Sequence, residues 1–131
     1  MVRTSLEDPT LPPELSEFLA ARLAYLTLFN KVMADNQLDG LVFPQSEGPL
    51  PGVFDKAEYL ATTVSEINIA GLPGVTVPAG EYGNGAPFAL IFVGRMWSEA
   101  ELLSFAYDYE QATKHRIVPV LVETPYPVPV A

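Results

Sequence analysis

The stretch INIAGLPGVTVPAGEYGNGAPFALIFV, residues 67–93, decides the fold. Gly71, Pro73, Gly74 and Pro78 cut its first half. That leaves room for one good strand over residues 74–77, which Pro78 is expected to end because proline cannot donate to a ladder. The run from Ala79 to Gly85 is dense in glycine, and Asn84-Gly85 suits the positive φ of a tight turn. Phe88-Ala89-Leu90-Ile91-Phe92-Val93 is apolar without alternation, the pattern of a strand covered on both faces and therefore central. Residues 74–93 read as two antiparallel strands joined by a glycine-rich hairpin.

Working outward, Asp39-Gly40 is turn chemistry before Leu41-Val42-Phe43, and Pro44 closes that run, so residues 40–43 read as a buried strand. Further upstream, Leu15, Phe18, Leu19, Arg22, Leu23, Leu26, Phe29, Val32 and Met33 recur every three or four residues. This period predicts an amphipathic helix over residues 14–34, with Pro12 and Pro13 at its start and Glu14 and Glu17 near its positive end. Residues 44–57, with Pro44, Gly48, Pro49, Pro51 and Gly52, read as a long irregular excursion. A short helix is expected over residues 56–64.

Downstream of the hairpin, Ser98 and Glu101 have the spacing of a capping box. The helix they open has Leu102, Leu103, Ala106 and Tyr107 as its expected buried stripe. Lys114, His115 and Arg116 complement its C-terminal end. Residues 117–122 read as a final strand, and the alternating prolines of residues 123–131 as a flexible, extended tail. The expected fold is α/β: one domain over residues 1–131, with a mixed sheet of about three to four strands flanked by helices.

Composition bounds the function. The 131 residues are 49% hydrophobic and 18% charged, with mean hydropathy +0.21; that suffices for a core without covalent staples. The absence of cysteine excludes disulfides, thiolate metal sites and cysteine nucleophiles. Sixteen acids against seven bases give a net charge of -9, a field that repels nucleic acid and anionic membranes. No apolar run is long enough to span a bilayer, and the first residues carry no apolar signal region. A soluble cytoplasmic protein with no nucleic-acid or membrane partner is expected.

Nucleophilic catalysis needs a nucleophile, a base and an orienting group. His115 is the sole histidine, and its place between Lys114 and Arg116 reads as C-terminal helix charge. No serine lies in a Gly-x-Ser-x-Gly elbow or a Ser-x-x-Lys pair, and Ser98 is accounted for as a cap. Asp108 and Glu110 diverge on a helix, so no metal is expected. The glycines of residues 71–85 lack a phosphate-loop ending, so no cofactor is expected either. Glu66, followed directly by Ile67-Asn68-Ile69, is the one acid in suggestive surroundings. Its ordinary role would be to fix the adjoining loop through backbone amides.

The run Asn68-Ile69-Ala70-Gly71-Leu72-Pro73-Gly74-Val75-Thr76-Val77-Pro78-Ala79-Gly80 resembles the C-terminal region of amidase-signature family hydrolases. Leu38-Asp39-Gly40-Leu41-Val42-Phe43-Pro44 looks like a strand of that family. So does the run from Gly85 to Arg95, and residues 98–113 look like its closing helix. These blocks follow the family's order over nearly all of residues 14–122. The resemblance implies a fold used to hydrolyse carboxylic amides with a Ser-Ser-Lys triad in an upstream glycine- and serine-rich signature. This sequence contains no Ser-Ser pair, and none of Lys31, Lys56 or Lys114 matches the family lysine. No catalytic residue is therefore assigned.

The expected role is that of a C-terminal domain, catalytically incomplete alone, which helps wall a substrate cleft. Glu66, Asn68, Gly71 and Pro73 are its cleft candidates. The expected partner is a second copy or a complementary amidase N-terminal chain, because so apolar a sheet fragment would leave edges and faces uncovered. Two alternatives stand beside it. One is a self-associating, non-catalytic module that binds a small molecule near Glu66, Asn68 and the 71–85 turn. The other, ranked last, is an independent hydrolase.

Overall fold

A computed structural model describes residues 14–52, 54–57, 62 and 65–117. Its elements, in chain order, are α1 (Ser16–Asp35), β1 (Leu41–Pro44), α2 (Ser65–Ala70), β2 (Gly74–Glu81), β3 (Pro87–Val93) and α3 (Glu99–Thr113). The sheet order is β1-β3-β2. β3 is central, as its unbroken apolar run requires. Both described pairings are antiparallel, with Leu41 opposite Val93 and Val75 opposite Phe92.

The sheet separates two helical layers. On one face Ile91 and Val93 pack with Phe29 and Met33 of α1, Ile67 and Ala70 of α2, and Leu72. On the other, α3 buries Leu102 and Ala106, and its Tyr109 ring meets Phe92 edge-on at 6.0 Å. Chain reversal into α3 is tight: a Cβ on Gly94 would collide with the Ser98 hydroxyl and lie 3.1 Å from Leu102.

Pro78 does not end β2, which continues to Glu81 past a bulge between Pro78 and Gly80. The ladder explains why. Gln45 N–H donates to the Ala89 carbonyl at 3.1 Å, so the backbone of Ala89 faces β1. Pro78, opposite Ala89, therefore directs its missing N–H to the outer edge, where no β3 bond is lost. Pro44, opposite Leu90, has the same outward parity on β1.

Other expectations change as well. Residues 65–70, which look interrupted in the sequence, form the single helical turn and a half of α2. Lys56 and Ala57 are not helical; the rest of the short helix expected there lies largely outside the described residues, and Thr62 forms an isolated bridge with Ser46. The capping box is not formed. Trp97 adopts φ 70°, and the Ser98 hydroxyl donates to the Arg95 carbonyl at 2.7 Å instead of to α3. In α3, Leu103 and Tyr107 are exposed, because the sheet covers only the side carrying Leu102 and Ala106. Pro12 and Pro13, the final strand over 117–122 beyond Ile117, and the 123–131 tail lie outside the described residues.

Candidate functional site

The cleft candidates gather around α2. This short helix survives because both its ends are tied. Its apolar positions Ile67 and Ala70 are buried, while Glu66 and Asn68 face outward and are exposed. At its C-terminal end Gly71 takes φ +75°. Gly71 N–H donates to Asn68 O at 3.2 Å and Leu72 N–H to Ile67 O at 3.1 Å. These are the two bonds of a Schellman motif, completed by the apolar pair Ile67 and Leu72.

A third tie comes from α1. Arg22 Nε donates to the Ala70 carbonyl at 3.0 Å, placing a cation at the negative end of α2. A Cβ on Gly71 would stand 2.8 Å from Arg22 Nη2. Gly71 is thus required both by its backbone and by the guanidinium above it. Sequence reading missed this role for Arg22, although the signal was present: one arginine inside an otherwise apolar stripe.

Two separate concavities result. A small one of about 190 Å³ between α1 and α2 is lined by Phe18, Arg22, Tyr25, Glu66 and Ile69. A larger one of about 760 Å³ lies at the hairpin end of the sheet, where Thr76, Pro78, Glu81, Phe88, His115 and Ile117 contribute to its walls. Glu66 therefore faces one recess and the hairpin residues another; Asn68, Gly71 and Pro73 line neither. Pro73 is half-buried, and its carbonyl accepts from Gly94 N–H at 3.3 Å.

The polar chemistry is sparse. The hydroxyls of Ser46, Ser98 and Ser104 donate to backbone carbonyls of Gly48, Arg95 and Glu101. An activated nucleophile would instead donate to a base. His115 is exposed, beside the Tyr109 ring at 6.4 Å. Among the described residues no group of His, Asp or Glu could hold a metal ion, and no helix is long and apolar enough to cross a membrane. Glu14 alone has a resolved shift. Hydrogen bonds from the side chain and then the backbone of Ser16 hold its carboxyl below the ordinary value.

Comparison with known proteins adds to this geometry. No protein-family model matches the chain. It is 47% identical over 92 residues to the A subunit of glutamyl-tRNA(Gln) amidotransferase from Parvibaculum lavamentivorans, covering 66% of this chain and 19% of that protein. Identity to the corresponding protein of Dinoroseobacter shibae is 37% over 91 residues, covering 64% and 18%. Among solved structures, the native peptide amidase of Stenotrophomonas maltophilia superposes with a TM-score of 0.65 at 32% identity, over 81% of this chain and 22% of that one. An amidase family protein of Bacillus anthracis superposes with a TM-score of 0.67 at 30% identity, over 92% and 21%. The chain thus spans about a fifth of the length of the proteins it matches, and the matched region of the amidotransferase relatives is their C-terminal part.

Proposed function

From the premise that this chain belongs to the amidase-signature family and carries the C-terminal part of its fold, we propose that it is the cleft-walling portion of a carboxylic-amide hydrolase. By itself it is catalytically incomplete, and it acts with a complementary amidase N-terminal chain that supplies the nucleophile and its base. The names of the relatives, a peptide amidase and one component of an amidotransferase, support an amide as the bond class. Glu66, Asn68, Gly71 and Pro73 border the cleft, with α2 held in place by Arg22.

One observation carries this reading: the uncovered apolar flank of α1. Leu15, Leu19 and Leu23 are 40%, 53% and 67% exposed, on a helix whose other end is fully packed. An apolar flank of this kind marks a surface that another element covers. The six serines include no Ser-Ser pair, so the chemistry must come from the covering chain.

The test is an amide-hydrolysis assay of the purified chain, alone and co-expressed with the N-terminal part of an amidase. Expected are no turnover alone, co-purification of the two pieces, and turnover in the pair. Turnover by the chain alone, at a level surviving rigorous removal of host amidases, would overturn the proposal. A stable homo-oligomer that ignores the amidase core would favour the self-associating module instead.

A further inference from the structure

β2 is an edge strand whose outer side has a definite hydrogen-bonding parity. Gly94 N–H donates to Pro73 O and Gln45 N–H to Ala89 O. Combined with the register of β2 on β3, these bonds set Val75 and Val77 toward β3. Gly74, Thr76 and Pro78 are set outward. The outer edge therefore offers the N–H and C=O of Gly74 and Thr76 and the C=O of Pro78. All three residues are exposed, and no strand pairs with that side among the described residues.

The chain itself arrives at this edge. α3 runs back along the sheet and ends at Thr113. Ile117, the last described residue, lines the 760 Å³ groove together with Thr76, Pro78 and Glu81. The next five residues are Val118-Pro119-Val120-Leu121-Val122, uncharged and rich in β-branched side chains. Extended, five residues span about 17 Å, the same reach as the five residues from Gly74 to Pro78. Tethering at the groove's lip also gives the segment an effective concentration that no free partner matches.

We propose that residues 118–122 dock on the outer edge of β2 as a fourth, antiparallel strand, with Val118, Val120 and Val122 opposite Pro78, Thr76 and Gly74. Proline chemistry selects this parity. It puts the missing N–H of Pro119 on the outside, as the ladder does for Pro44 and Pro78. Val118 N–H then donates to Pro78 O, while Val120 and Val122 exchange bonds with Thr76 and Gly74. Leu121 falls opposite Val75, on the α3 side of the sheet. There it covers Leu103 and Tyr107, which otherwise stand 58% and 63% exposed beside β2.

Amide hydrogen exchange on the full chain tests the proposal. Gly74 and Thr76 are expected to be protected together with Val75 and Val77, independently of protein concentration. Val120→Pro removes the N–H that Thr76 O accepts. It is expected to speed exchange at Gly74 and Thr76 by at least about tenfold while leaving Val75 and Val77, which face β3, unchanged. Pro119→Ala is expected to change none of the four. Unprotected Gly74 and Thr76 in the parent chain, equal rates in parent and V120P, or protection that grows with concentration, as pairing with a second copy would give, overturns it. Should V120P not fold, backbone NOE contacts between Thr76 and Val120 in the parent chain decide: present, they support the strand; absent, they overturn it.

Discussion

The C-terminal half of α1 buries Phe29 and Met33 against β3 and α2, while its N-terminal half leaves Leu15, Leu19 and Leu23 exposed. Both halves carry apolar residues at the same helical spacing. They differ in what lies opposite: β3 and α2 meet the second half, and only the six residues of α2 reach back toward the first. Arg22 marks the boundary, its guanidinium tied to Ala70. Periodicity thus encodes which face of a helix is apolar, and tertiary contacts decide how much of that face is buried.

The contrast can be tested along the same helix, beginning with the largest effect. Met33 is 0% exposed, so Met33→Ala is expected to lower unfolding free energy by about 2–5 kcal/mol in urea titrations. Leu23→Ala, its counterpart in the uncovered half, is expected to stay within about 0.5 kcal/mol in the isolated chain. A Leu23→Ala cost equal to that of Met33→Ala would show that the flank is already covered by the chain itself.

At the boundary, Gly71→Ala forces a side chain into a left-handed backbone and against Arg22. It is expected to cost about 1–2 kcal/mol and to free the Arg22 side chain, readable from its Nε resonance. The end of α1 behaves oppositely. Gln37 takes φ 53°, while Leu38 N–H donates to Met33 O and Gln37 N–H to Ala34 O. This is the same Schellman closure as at Gly71, but built on a non-glycine residue. Gln37→Gly is therefore expected to stabilise the fold by about 0.5–1 kcal/mol, as a rise in denaturation midpoint.

The smallest effect lies at the exposed start of the helix. Ser16 lowers the Glu14 carboxyl below its ordinary 4.5. A carboxyl depressed on folding stabilises above its unfolded pKa, and that contribution fades as pH falls through the folded value. The first turn of α1 is expected to fray in that acid window, followed by the Ser16 amide shift. Glu14→Gln is expected to abolish this pH dependence and leave Met33 undisturbed.

Much of the scaffold was legible in the sequence. The central place of β3 follows from an apolar run without alternation, and the hairpin from its glycines. α2 was not legible, because six residues containing Ile67-Asn68-Ile69 show less than two helical turns and alternate like a strand. Pro78 was misread because the rule against proline in strands applies only to the inward parity, which the register alone reveals. The capping box failed for a similar reason: the left-handed Trp97 turns the Ser98 hydroxyl back toward Arg95. Glu66 and Asn68 could be named as site candidates from their neighbours, but the split into two recesses depends on how α1 crosses α2. The clamp from Arg22 joins residues 48 positions apart, a distance at which spacing carries no information.

The two edge prolines have one further consequence. If β2 slid by one residue along β3, the nitrogen of Pro78 would turn inward and a ladder bond would be lost, while Val75 and Val77 would exchange faces with Thr76. The same slip of β1 would turn Pro44 inward. Each outer strand thus carries its own alignment key, readable by the central strand during assembly: the wrong parity costs a hydrogen bond before any side chain has packed.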